Sequence, residues 1–183
     1  REVAELFELA DPPQRIEIYD NSHIQGSNAL GAMVVAGPEG FIKNQYRKFN
    51  IKQAATDDGF AMMREVFQRR FARAQEEDPD RDKGEWPDLV LIDGGKGQVS
   101  AVRAVIESLG VEDVPFIGIA KGPHHGREGR EVFHFPDGRE LTLPVNAPVL
   151  FYLQRLRDEV HRYAIGAHRT KRAKAITASP LDE

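Results

Sequence analysis

The segment Asp88-Leu-Val-Leu-Ile-Asp93 constrains the fold of this chain more than any other: four consecutive apolar residues between two acids, followed at once by Gly94-Gly-Lys-Gly97. Apolar–polar alternation marks a strand with one wet face. An unbroken apolar run too short for a helix marks a strand covered on both faces. Such a strand requires a sheet with helices on both of its faces. Phe116-Ile-Gly-Ile-Ala120 reads as a second strand of the same kind.

The remaining segments surround that pair. Val3, Leu6, Phe7 and Leu9 have helical spacing and stop at Asp11-Pro-Pro13, which predicts an N-terminal arm over 1–14. Arg15-Ile-Glu-Ile-Tyr-Asp20 alternates at period two, Ala29 to Ala36 is small and β-branched, and Phe41 to Ile51 alternates apolar with basic. With Gly37-Pro-Glu-Gly40 as a turn, these three strands form an antiparallel meander. A helix is predicted to start near Thr56-Asp57-Asp58 and to bury Phe60, Met63, Val66, Phe67 and Phe71. The acid-rich stretch Glu76 to Glu85 reads as a solvated loop. Val99, Val102, Val105, Ile106 and Leu109 give a second helix, stopped by Gly110. Val132–Phe135 and Glu140–Leu143 flank Pro136-Asp-Gly138 as a hairpin. A last helix runs from about Ala147 with Leu150, Leu153, Leu156 and Val160 inward. A meander followed by strand–helix alternation predicts an α/β chain of ribonuclease H-like layout, with a mixed central sheet and helices on both faces.

Composition narrows the function classes. The 183 residues suit one core, and 40% apolar with 30% charged is ordinary globular material. No apolar run approaches the ~20 residues of a membrane span, and Arg1-Glu-Val-Ala-Glu5 lacks a signal-peptide pattern. The absence of cysteine excludes disulfides and thiolate metal sites and fits a reducing compartment, so a cytoplasmic location with no membrane partner is expected. Net charge is −4, yet Arg155, Arg157, Arg162, Arg169, Lys171, Arg172 and Lys174 crowd one stretch, and Lys43, Arg47, Lys48 and Lys52 another. A basic face on an acidic protein suits a polyanion such as DNA, although solvated charge is the commoner reading.

Two acids stand out by position. Asp20 ends the first strand and Asp93 the central one, where the carboxyl ends of strands open into a cleft. Converging carboxylates repel unless a proton or a hard cation such as Mg2+ or Mn2+ relieves them. For either Asp alone, a bond to the following turn is the commoner explanation. His161, in Arg157-Asp-Glu-Val-His161, suits a ligand or proton carrier, with pairing to Asp158 as the ordinary alternative and His168 as a competitor. Gly94-Gly-Lys-Gly97 is no P-loop, because Gln98 stands where Ser or Thr would hold magnesium. Lys96 before a helix N-terminus still suits a DNA phosphate. His23 and Ser22 lie beside Asp20 and suit a phosphate or the orientation of the acid. His124-His125-Gly126, with nearby Arg127 and Arg130, reads as surface.

Tyr19-Asp-Asn-Ser-His23, Asp57-Asp-Gly-Phe-Ala-Met62, Leu91-Ile-Asp-Gly-Gly-Lys-Gly-Gln98, Ile119-Ala-Lys-Gly122 and Arg157-Asp-Glu-Val-His-Arg-Tyr-Ala-Ile-Gly166 with His168-Arg169, in that order, closely resemble the C-terminal half of the excinuclease UvrC family. The resemblance covers roughly 15–179. It implies a ribonuclease H-like nuclease requiring Mg2+ or Mn2+, with no small-molecule cofactor, that cuts damaged double-stranded DNA 5′ of a lesion after UvrA and UvrB have acted. It places catalytic function on Asp20, Asp93 and His161, with Asp58 as a further acid that also suits a helix cap. Position 21, Asn here and more often Ile in the family, reads as a backbone filler. Family members also carry a GIY-YIG nuclease domain, a UvrB-binding segment and helix-hairpin-helix modules; these are not seen, so 180–183 reads as a truncated linker and the chain as an excised domain. Under this reading Lys96, Arg169, Lys171, Arg172 and His23 hold DNA. The competing expectations are a non-catalytic DNA- or protein-docking domain of the same fold, and a nucleotide-binding enzyme built on the Gly94 loop.

Overall fold

The structure, a computed structural model, describes residues 1–22, 29–52, 54, 58–121 and 131–177, with side chains up to residue 166. The element order is α1 (Glu2–Leu6), β1 (Ile16–Ser22), β2 (Leu30–Gly37), β3 (Gly40–Phe41), a 3-10 turn (Lys43–Gln45), β4 (Arg47–Asn50), α2 (Gly59–Glu77), β5 (Leu89–Asp93), α3 (Lys96–Ser108), β6 (Phe116–Lys121), β7 (Glu131–His134), β8 (Glu140–Thr142) and α4 (Pro148–Thr177). One mixed sheet runs β3-β2-β1-β5-β6-β7-β8, with β4 also on β2. β1–β2 and β6–β7–β8 are antiparallel, whereas β1–β5–β6 is parallel. The predicted meander is present, but its third strand is split into β3 and β4 by the 3-10 turn, and both halves pair with β2.

Helices cover both faces, as the central apolar run requires. Ile16, Ile18, Leu89, Leu91, Ile117 and Ile119 share one cluster with Leu150, Leu153, Leu156 and Val160 of α4. Val3 and Phe7, in the segment read as an arm, belong to that cluster too, and Phe7 meets the rings of Phe133 and Phe135. Tyr19, Met33, Val35, Val90 and Ile92 face the other way, onto Met63, Val66, Phe67 and Phe71 of α2 and Val99, Val102, Val105 and Ile106 of α3.

Three local differences from the sequence reading matter. β1 alternates in sequence, yet Glu17 is fully buried because the strand is internal; Arg70 from α2 pairs with it at 2.7 Å, and Arg15 at 2.9 Å. The acid-rich loop is not simply solvated. Asp78 is buried and its carboxylate accepts the amides of Asp82, Lys83 and Glu85. Phe60, assigned to the core stripe of α2, is 47% exposed.

Candidate metal centre

Strand register brings the two aspartates together. β1 and β5 run parallel with Tyr19 opposite Ile92, so Asp20 and Asp93 are the next residues along neighbouring strands. Period two puts them on the face of Ile18 and Leu91, which α4 covers. On α4, Arg157 and His161 are one turn apart and so share a side of the helix. His161 Nδ1 stands 3.3 Å from Asp20 Oδ2, and Arg157 Nε donates to Asp93 Oδ1 at 3.1 Å. Asp20, Asp93 and His161 each offer one ligand atom, all within 4.8 Å of one another; among the described residues this is the one such group.

The electrostatics suit a cation. Burial, then the neighbouring Asp93 carboxylate, pushes Asp20 up to about 6, while the contacts with His161 and the Asn21 amide pull it down. Two carboxylates in a half-closed site are relieved by a divalent ion, and two carboxylate oxygens with an imidazole nitrogen make a donor set that could hold one. His161, 62% exposed, leaves the mouth open to solvent.

The support around these three was not legible in the sequence. Asn21 is no filler: its backbone N–H donates to Asp20 Oδ1 at 2.8 Å, and its side-chain amide donates to Gly59 O at 3.1 Å, tying the end of β1 to the start of α2. Arg157 also reaches Glu131 Oε1 at 3.3 Å, and Glu131 accepts from Gln154 at 2.9 Å. Arg157 thus spans Asp93 and a buried acid on β7. The i, i+4 spacing of Arg157 with His161 was the available signal for the arginine; Glu131 had none.

Tight turns let α3 start beside Asp93. A Cβ on Gly118 of β6 would lie 2.7 Å from Gly94 O and 2.5 Å from Val99 Cγ2, so only glycine lets the loop approach the sheet. Gly94 N donates to Ile119 O at 3.0 Å. Lys96 is exposed as the first residue of α3.

Asp58 lies outside the three-ligand group. It is the N-cap of α2, and its carboxylate accepts from Ala61 N at 3.0 Å, which satisfies one of the free amides of a helix start. His161 meets Asp20, not Asp158 as the ordinary alternative had it. His23, His124 and His125 lie outside the described residues, as do the side chains of His168, Arg169, Lys171 and Arg172.

Residues 4–165 match the family model described as the UvrC RNAse H endonuclease domain. The chain is 78% identical over its whole length to the UvrABC system protein C of Novosphingobium aromaticivorans, of which it spans 28%. It is 74% identical to that of Sphingopyxis alaskensis, covering all of this chain and 29% of that protein. It is 61% identical to that of Ruegeria pomeroyi, covering 99% and 29%. The chain thus spans less than a third of the curated relatives it matches. Among solved structures, human ENDOV is similar over 72% of this chain and 64% of that one, at 17% identity and a TM-score of 0.46, a likeness too distant to carry a function. On the family match, which takes in nearly the whole chain, this protein belongs to the UvrC RNAse H endonuclease domain family.

Proposed function

We propose that this chain is the divalent-metal-dependent endonuclease unit of a nucleotide excision repair protein and makes the incision 5′ of a lesion. The observation that carries the metal dependence is the meeting of Asp20, Asp93 and His161 ligand atoms within 4.8 Å, at the ends of two parallel strands and on the helix across from them. The relatives are named as parts of the UvrABC system, which supports damaged double-stranded DNA as substrate and UvrA and UvrB as partners. Among the described residues, no helix is long and apolar enough to cross a membrane.

Asp20, Asp93 and His161 would hold one or two Mg2+ or Mn2+ ions. A bound divalent ion neutralises charge on the scissile phosphate and acidifies the attacking water. This chain's residues set the geometry. The amide of Asn21 keeps one oxygen of Asp20 directed, so that Oδ2 is the oxygen turned to His161. Arg157 holds Asp93 from the side of β7 and balances Glu131. His161, exposed at the mouth, closes the ligand set or carries the proton of the attacking water. Lys96, with the free amides of α3 behind it, suits a backbone phosphate, and Arg169, Lys171, Arg172 and His23 extend the contact along the strand. Asp58 acts as the cap of α2 and not as a ligand.

Nicking of supercoiled plasmid with Mn2+ tests the proposal. The parent chain should nick, chelator should abolish the reaction, and Asp20→Ala and Asp93→Ala should lose it. Full activity of Asp20→Ala would end the metal-centre reading.

A further inference from the structure

One large aromatic side chain, at the start of α2, is left about half exposed. Phe60 is the second residue of α2 and is 47% exposed, whereas Met63, Val66, Phe67 and Phe71 of the same stripe are buried. Its position is built from the site outward. Asn21, next to Asp20, donates to the carbonyl of Gly59, the residue before Phe60. On the other side, the ring tip rests on Gly97, four residues past Asp93. A Cβ there would lie 2.4 Å from Phe60 Cζ and 2.9 Å and 3.1 Å from the two Cε atoms.

The contact with Gly97 is therefore made by the far edge of the ring, and about half of the residue stays open to solvent. Gly97 sits in the first turn of α3, where glycine costs roughly 1 kcal/mol of helix propensity against alanine. A side chain at 97 would displace the ring.

Cations flank the ring. Lys96 is exposed at the start of α3, where the first amides have no partner within the helix. Arg64 is exposed one turn along α2 from Phe60, on the same side of that helix. Asp58, two residues before Phe60, is directed to the amide of Ala61 as a cap. A half-exposed aromatic ring, with a lysine next to the glycine it touches and an arginine one turn along its own helix, suits single-stranded nucleic acid, base on ring and phosphates on the cations.

We propose that Phe60 is a stacking platform for a nucleobase next to the phosphate held at the Asp20–Asp93–His161 centre, with Lys96 and Arg64 on the adjoining phosphates. The proposal rests on the nuclease reading and adds to it a substrate feature: the nucleotide beside the cut is unstacked from its neighbour and stacked on the protein. It also favours DNA that is already opened, such as a single strand or a bubble, over intact duplex.

The test compares Phe60→Ala, Phe60→Leu and Phe60→Tyr with the parent. It measures fluorescence anisotropy of a labelled single-stranded oligonucleotide at low salt, thermal melting of each variant, and plasmid nicking with Mn2+. Stacking on an aromatic ring is worth ~1–3 kcal/mol per base, so Ala and Leu should each weaken binding about 5- to 150-fold, while Tyr binds as the parent does. Leu keeps the apolar bulk over Gly97 and loses only the π face, so parental affinity in Phe60→Leu shows a packing role and overturns the proposal. Parental affinity in Phe60→Ala overturns it as well. A parent that neither binds DNA nor nicks sinks the nuclease reading itself, and this inference with it; a parent that nicks while all three variants match it sinks the platform alone.

Discussion

Removing the Arg70 guanidinium should destabilise the protein markedly, because it strands a buried carboxylate at the centre of the sheet. Arg70 is 2% exposed and Glu17, its partner at the centre of the sheet, is fully buried; the guanidinium makes contacts of 2.7 Å and 3.3 Å to the two carboxylate oxygens and also donates to Glu85 O. Breaking a buried pair from one side costs about 3–5 kcal/mol, because the other charge stays behind without compensation. Here Arg15 still reaches Glu17 at 2.9 Å and the Tyr19 hydroxyl still donates to it, so Arg70→Met should fall near the lower end, about 3 kcal/mol. With a urea slope of about 2 kcal/mol/M, the midpoint drops by roughly 1.5 M at unchanged slope, read by far-UV circular dichroism. The double variant Glu17→Gln with Arg70→Met removes the stranded charge and should recover at least about 1 kcal/mol of that loss. If Arg70→Met stays within about 1 kcal/mol of the parent, or the double variant is worse than the single, the pair does not hold β1 in place as argued.

The other predictions concern the site. Asp20 binds its proton more tightly in the folded chain than in the unfolded one, since burial and then Asp93 raise it from 3.8 to about 6. In chelator its contribution is therefore neutral below about pH 4 and costs stability as the pH rises to about 6, levelling off near 3 kcal/mol. Urea titrations at pH 4 and pH 7 should show this slope, and Asp20→Asn should flatten it. Arg157→Met leaves Asp93 and buried Glu131 without their shared cation, so metal-free stability should fall by about 2–4 kcal/mol, with Mn2+ restoring part of it; a melting shift on Mn2+ addition no larger than the parent's counts against this. Gly118→Ala forces a methyl onto Gly94 O and Val99, which should cost about 1–3 kcal/mol and reduce nicking by moving the Asp93 turn, and unchanged melting would remove that argument. Asp58→Ala should lose about 1 kcal/mol of helix capping, whereas Asp58→Ser keeps the cap and should nick like the parent. Loss of nicking in Asp58→Ser would assign the acid a chemical role.

The sequence by itself determined the parts that depend on neighbours along the chain. The unbroken run Leu89–Ile92 demanded an internal strand, period two and period 3.6 marked the other elements, and glycine after Asp93 opened the turn into α3. Asp20 and Asp93 were visible as acids closing apolar strands, and ordered motifs identified the family. Contacts between distant residues could not be read that way. Asn21 to Gly59, Arg157 to Asp93 and Glu131, and Arg70 to Glu17 join residues 26 to 64 positions apart, and no local pattern encodes them. The same reason explains Phe60: it continues the apolar stripe of α2, but whether a position in a stripe is covered depends on what another element places opposite it, and here that is the bare backbone of Gly97 at the edge of the site. Only the tertiary structure, by setting β1 beside β5 and laying α4 across them, decided that two carboxylates and an imidazole converge.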